Sequence, residues 1–283
     1  MDFKVRKLTA NTGAEVTGLD LRQPLAAETM AALRAVWLEH VVVVMPGQAI
    51  DDDQQIAFSR GVGKLELINM SALQAPGKPE IYMATNLDDH NEIRSMDHPV
   101  NRDNQKWHSD SSFKRIPAMA SLLHARIVPE TGGDTAFANM VAAYDDLPEP
   151  MKQRLDGLVA VHNFYWSRRD VKVTAFTEAE KNAIPPVRHP VVRRHPETGR
   201  KALYVGSHTE SIEGVAWDEG RELIDGLIAH ATQPQYTYQH AWQVGDLVWW
   251  DNRAALHCGM PFDATRQKRR LHRTTVAGTG PTL

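Results

Sequence analysis

The feature that most constrains this chain is a succession of short β-branched and aromatic segments, punctuated by Gly and Pro, from about residue 120 onward. The spacing predicts strands over 120–128, 133–139, 159–165, 191–194, 202–205, 236–242, 247–250 and 271–276. Many short strands with such turns point to a sandwich or jelly roll. Two helices are predicted to interrupt the series. One covers 140–155, with Pro148 and Pro150 as a break, and the other covers 217–232, with Leu223, Leu227 and Ile228 on one side.

The first hundred residues read differently. Residues 4–22 alternate around Gly13 and Gly18, which predicts short strands with a turn. Met30, Leu33, Val36 and Trp37 recur at helical spacing within 26–40. Val41 to Met45 is fully apolar and mostly β-branched, the pattern of a buried strand, and Pro46-Gly47 ends it. A second helix is expected over 51–60, where three aspartates favour the positive end of its dipole. Residues 66–106 are irregular and polar, with one strand candidate at 81–84; a stretch of this length is expected to act as a lid over a site, taken as about 64–106.

Composition narrows the function classes. The 283 residues, 42 % of them hydrophobic, suffice for a single domain with a sizeable core. A formal net charge of −3 implies no polyanion partner, so no nucleic acid is expected; the basic cluster 266–273 is the local exception. Cys258 is the single cysteine, which excludes an internal disulfide and suits a reducing cytoplasm. It follows His257 directly and is read as a small buried thiol rather than a metal ligand. The charged start of the chain carries no secretory pattern, and Val41–Met45 is too short to span a membrane. A cytoplasmic homo-oligomer is the expectation.

Metal-ligand spacing is the next constraint. With 13 His and 35 Asp plus Glu, chance alone gives about one or two His-x-Asp/Glu triplets. Four occur: His90-Asn-Glu92, His108-Ser-Asp110, His195-Pro-Glu197 and His208-Thr-Glu210. Only the second lies between an aromatic, Trp107, and a Ser-Ser-Phe sequence. On a strand, two-residue spacing puts His108 and Asp110 on one face. His257, at the end of another strand-like run, then closes a three-ligand site. Two imidazoles and one carboxylate are the ligand set of non-haem Fe(II) oxygenases.

Four motifs occur in order: Trp-His-Ser-Asp-Ser-Ser-Phe at 107–113, Gly-Gly-Asp-Thr-x-Phe at 132–137, Gly-Asp-Leu-Val-x-Trp-Asp-Asn-Arg-x-x-x-His at 245–257 and Arg-Arg-Leu-His-Arg at 269–273. Over nearly the whole chain they resemble the TauD/TfdA family of Fe(II)- and 2-oxoglutarate-dependent dioxygenases. The 2,4-dichlorophenoxyacetate dioxygenase branch is the nearest, on Val-Pro-x-x-Gly-Gly-Asp-Thr, Ala-Ala-Tyr-Asp-x-Leu-Pro and Tyr-x-His-x-Trp-x-Val-Gly-Asp-Leu-Val.

The resemblance implies an α+β fold, a double-stranded β-helix or jelly-roll core with flanking helices. It implies His108, Asp110 and His257 as iron ligands, with 2-oxoglutarate and O2 as cosubstrates. Arg269 would bind the distal carboxylate of 2-oxoglutarate, with Thr135 supporting it. Arg273 would bind the acidic head of the primary substrate, and Asn86 would lie by the substrate pocket. Four residues apart on an extended strand, Arg269 and Arg273 would face the same side. Lys64, Ile68, Asn69, Met70 and Ser71 are candidate pocket residues, His208 is a possible neighbour, and His195 has no role assigned. Asn252 and Arg253 are read as structural. With an aryloxyacetate, hydroxylation next to the ether oxygen would give a hemiacetal that collapses to a phenol and glyoxylate, alongside succinate and CO2. The nearest alternative is an alkylsulfonate or alkylsulfate dioxygenase using the same arginine. Two other classes are a zinc hydrolase on the same ligands and a non-catalytic jelly-roll binding protein.

Overall fold

In a computed structural model of the chain, residues 3–68, 73–94, 105–169, 177 and 182–282 are described. An eight-stranded sheet dominates. It contains β1 (Lys4–Lys7), β2 (Ala14–Thr17), β3 (Val42–Met45), β4 (Gln74–Ala75), β5 (Lys78–Thr85), β6 (Ala120–Ile127), β14 (Leu247–Asp251) and β16 (Arg270–Val276). Its order is β1-β2-β3-β14-β6-β16-β5-β4, antiparallel except where β2 meets β3. Facing it is a three-stranded sheet of β13 (Thr237–His240), β7 (Thr135–Asn139) and β15 (Ala255–Gly259), with β7 in the middle. A second three-stranded sheet orders β12 (Thr209–Ile212), β8 (Val159–His162) and β9 (Val187–Pro190); β10 (Val192–Arg194) and β11 (Lys201–Leu203) form a hairpin. The content is mixed α and β, mostly sheet, as expected.

Strand alternation sorts the large sheet's side chains onto two faces. Val43, Met45, Leu122, Leu247 and Trp249 point to a cluster beneath helices α1 (Ala27–His40) and α2 (Asp52–Val62). There Trp249 stacks on Trp37 with ring centroids 4.5 Å apart. Val42, Val44, Leu123, Ala125, Val248 and Trp250 point the other way, into the core shared with β7, β15 and helix α3 (Met140–Asp145). Both faces of β3 are therefore covered, which explains its unbroken apolar run.

Boundaries deviate from expectation for identifiable reasons. Asp51 caps α2 rather than joining it: its carboxylate accepts from Gln54 N, and Gln54 returns a bond to the Asp51 amide. Helix 140–155 is two helices, α3 and α4 (Glu149–Leu155), because Pro148 cannot continue the first. The last long helix, α5 (Trp217–Ala231), lies where expected. Strands β9, β12 and β15 were not anticipated as separate elements.

Candidate active site

His108 and Asp110 do not lie on a strand, contrary to expectation. His108 forms a single bridge to His257, its amide donating to His257 O at 3.0 Å and its carbonyl accepting from His257 N at 2.8 Å. The chain then turns through Asp110 and Ser111, the latter at φ +57°. His257 lies in the middle of β15, not at a strand end. The carboxylate is 3.9 Å from His108 Nε2 and 3.8 Å from His257 Nε2, and all three residues are buried. The three donor atoms lie within 4.8 Å of one another.

The protonation states follow from burial. Burial pushes both imidazoles down, His257 well below the usual range, so neutral rings are favoured. Burial alone would raise the Asp110 carboxyl, but the charge of Arg273, with a hydrogen bond from Ser121, holds it well below the carboxylate range. His108 Nδ1 sits 2.7 Å from Lys106 O, so it carries the proton and leaves the Nε2 lone pair facing Asp110. Buried His257 Nδ1 has no hydrogen-bond partner among the described residues. Two neutral nitrogens and one carboxylate, clustered and buried, suit a divalent cation.

Leu271 points into the core between the sheets and Arg273 shares its face on β16, while Arg269 directly precedes the strand. Arg269 Nε donates to Gly133 O at 3.0 Å, and Arg273 Nη1 donates to Asp110 Oδ1 at 2.5 Å. Burial lowers Arg269 to about 10, offset only in part by Asp134, and among the described residues it makes no ion pair. Gly133 permits this approach. Its φ is +73°, and a Cβ would lie 2.7 Å from Pro129 Cγ and 3.3 Å from Arg269 Cδ. Thr135, two residues on, is buried; its hydroxyl oxygen accepts from Trp242 Nε1 at 3.0 Å, which leaves its own proton to donate.

Asn86 directs its side chain to the loop before β16. Its Nδ2 donates to Ala264 O and Gln267 O, both at 2.9 Å, and its Oδ1 accepts from Arg269 N at 2.9 Å. Both amide protons are spent on the loop before β16, so Asn86 fixes the backbone that carries Arg269. Lys64 is exposed, Ile68 half-buried, and Asn69, Met70 and Ser71 lie outside the described residues.

The other triplets separate cleanly. His90 and Glu92 are exposed in a loop. His195 Nε2 pairs with buried Asp251 at 3.0 Å, in a cluster with Arg253 and Glu197. His208 packs edge-on to His108, ring centroids 6.0 Å apart, with Nδ1 3.1 Å from Ser112 Oγ. Cys258 is a buried thiol bonded to Gln105 O, pushed up to about 11 by burial. Sequence reasoning missed Glu66, which accepts from Ser111 Oγ at 3.0 Å and Lys114 Nζ at 2.7 Å and so ties the 64–68 segment to the turn after Asp110.

Two imidazoles, a carboxylate and a nearby buried arginine free of ion pairs are the donor set of a non-haem metal oxygenase that also takes an anionic cosubstrate. The sequence profile of the taurine catabolism dioxygenase TauD, TfdA family matches residues 4–275, and the chain belongs to that family. It is 42 % identical over 270 residues to the alpha-ketoglutarate-dependent 2,4-dichlorophenoxyacetate dioxygenase of Burkholderia sp. (strain RASC), covering 93 % of this chain and 91 % of the relative. It is 36 % identical over 282 residues to the (S)-phenoxypropionate/alpha-ketoglutarate-dioxygenase of Sphingobium herbicidovorans, covering 98 % and 95 %. Among solved structures, AAD-2 in complex with Mn(II) and N-oxalylglycine superposes with a TM-score of 0.92 at 39 % identity, covering 100 % of this chain and 99 % of that one. No helix among the described residues is long and apolar enough to cross a membrane.

Proposed function

We propose that this chain is an Fe(II)- and 2-oxoglutarate-dependent dioxygenase that hydroxylates a small carboxylate substrate of the aryloxyalkanoate type, with ether cleavage to a phenol and a 2-oxo acid, glyoxylate where the substrate is an aryloxyacetate. The observation that carries the cosubstrate is Arg269, a buried guanidinium without an ion pair among the described residues, directly before the strand that carries the arginine reaching Asp110. A buried arginine in that state is stabilised by an incoming carboxylate. The metal is carried by the three converging donors, and the substrate class by the relatives named for 2,4-dichlorophenoxyacetate and (S)-phenoxypropionate.

His108, Asp110 and His257 would hold the iron. When bound, it supplies the activation of dioxygen, coupled to oxidative decarboxylation of the keto acid to succinate and CO2. Arg269 takes the distal carboxylate bidentately, and the Thr135 hydroxyl donates to the same group. Arg273 offers its guanidinium to the substrate carboxylate, orienting the carbon beside the ether oxygen toward the metal. Loss of the substrate's charge-matched anchor would leave that carbon unplaced. The same proposal includes a double-stranded β-helix core in a single domain and a cytoplasmic homo-oligomer; the stretch expected as a lid, about 64–106, carries β4 and β5 of the large sheet and so does not move as one lid.

The deciding assay is substrate-dependent succinate formation with a panel of aryloxyalkanoates, alkylsulfonates and alkyl sulfates. Phenol release with aryloxyalkanoates is expected; release of sulfite or sulfate alone would overturn the substrate class. The Asp110→Ala variant should form no succinate, and normal turnover in it would sink the metal assignment.

A further inference from the structure

The side chains behind Asp110 form a closed circuit. Asn252 Oδ1 accepts from the Asp110 amide at 3.2 Å and from Trp250 Nε1 at 2.9 Å. Both are obligate donors, so the amide oxygen must face them and Nδ2 must face Ser121 Oγ, 2.9 Å away. Nδ2 can only donate. Ser121 therefore accepts there, and its one proton goes to Asp110 Oδ2 at 2.7 Å. Ser109 Oγ adds a bond to Asn252 O at 2.6 Å. Ser109, Asp110, Ser121, Trp250 and Asn252 are all at most 5 % exposed.

We propose that Ser121 and Asn252 are positioning residues for the metal-binding carboxylate, setting its rotamer and the direction of its free lone pairs. The inference rests on the reading of Asp110 as a metal ligand. A reason for such a device lies in the local backbone. The 108–110 segment has a single bridge to β15 instead of a strand ladder, and it runs into a left-handed residue at Ser111. Backbone pairing therefore does not fix Asp110, and the circuit does so by gripping its amide and its carboxylate through one side chain. In the turn after β14, Asn252 and its neighbours have different partners: Asp251 and Arg253 bond toward His195 and Glu197. Ser121 lies on β6, opposite Trp250 of β14 and Thr275 of β16, so the circuit anchors the turn to the centre of the large sheet. A carboxylate oriented before the cation arrives binds it more tightly than one that must be ordered on binding.

The test is Mn(II) binding to metal-free protein, read from the electron paramagnetic resonance of free Mn(II), in wild type, Ser121→Ala, Asn252→Ala, the double variant and Asp110→Ala. Ser121→Ala should weaken Mn(II) binding about ten- to hundredfold, while the metal-free melting temperature falls by only a few degrees. The double variant should bind no more weakly than Asn252→Ala alone, since both act through one circuit. Wild-type affinity in Ser121→Ala, with binding lost in Asp110→Ala, would overturn the positioning role and leave the metal reading intact. Wild-type affinity in Asp110→Ala would overturn the metal reading itself. If Asn252→Ala does not fold, Ser121→Ala decides alone, because it removes one hydroxyl and no ring or backbone contact.

Discussion

Arg273 Nη1 donates to Asp110 Oδ1 at 2.5 Å, so the cation proposed for the substrate rests on the carboxylate proposed for the metal. The guanidinium also lies over the Tyr82 ring, 4.7 Å from its centroid. A cation held by Asp110 would share this carboxylate with Arg273. The two sites would therefore be linked through one hydrogen bond.

Arg273→Met should consequently raise the KM for a carboxylate substrate by about 10- to 100-fold, the equivalent of a charge-assisted hydrogen bond of about 1.5–3 kcal/mol. The KM for 2-oxoglutarate should change far less, since Arg269 is untouched. Steady-state kinetics with each ligand varied in turn distinguishes the two, and equal rises in both constants would contradict the division of labour.

Gly133→Ala should injure the cosubstrate end. The left-handed backbone costs a residue with a Cβ about 1–2 kcal/mol, and the new methyl would collide with Pro129 and press on Arg269. Lower thermal stability together with a higher KM for 2-oxoglutarate is expected. A variant that lost stability but kept wild-type KM would show that Arg269 does not depend on this approach.

Acid should destabilise the fold through His162. Burial lowers it to about 3, and neither ring nitrogen has a hydrogen-bond partner among the described residues; its ring stacks on Tyr204, centroids 5.3 Å apart. Its folded pKa is below its unfolded value near 6.5, so the unfolded chain takes up the proton first as pH falls. The contribution is complete above about pH 6.5 and is lost progressively below it, on the order of 2 kcal/mol by pH 5. His124 and His189, each lowered to about 4 by burial, act in the same direction. Melting temperature measured from pH 7.5 to 5 should fall less steeply in His162→Phe than in wild type; parallel curves would refute the assignment.

Much of this was legible in the sequence where a pattern is local. The apolar Val41–Met45 run, the helical spacing around Leu33 and Trp37 and the break at Pro148 each reflect forces acting within a few residues. Strands β9 and β12 escaped because their three- or four-residue pairing is set by β8 rather than by composition. The His108–Asp110 pair carried the right residues on the wrong element: the spacing suits a strand face, but a bridge to His257, 149 positions further along, fixes one end and a side-chain circuit the other. Asn86 looks like a turn residue or a pocket residue in sequence, and only its bonds to positions 264, 267 and 269 show the loop it holds. His195 is similar, since its partner Asp251 lies 56 residues away.

The placement of β16 has a consequence for how the chain is made. This strand, residues 270–276, lies between β5 and β6, whose residues emerge from the ribosome long before it. Until then those two strands present open edges at what becomes the middle of the sheet, where edges invite pairing with other chains. Both arginines proposed to hold anions arrive with the same segment. The chain therefore acquires its complete sheet and its anion-holding side chains in a single late step, and a nascent chain stalled before residue 269 would be both aggregation-prone and without the arginines proposed to hold its anionic ligands.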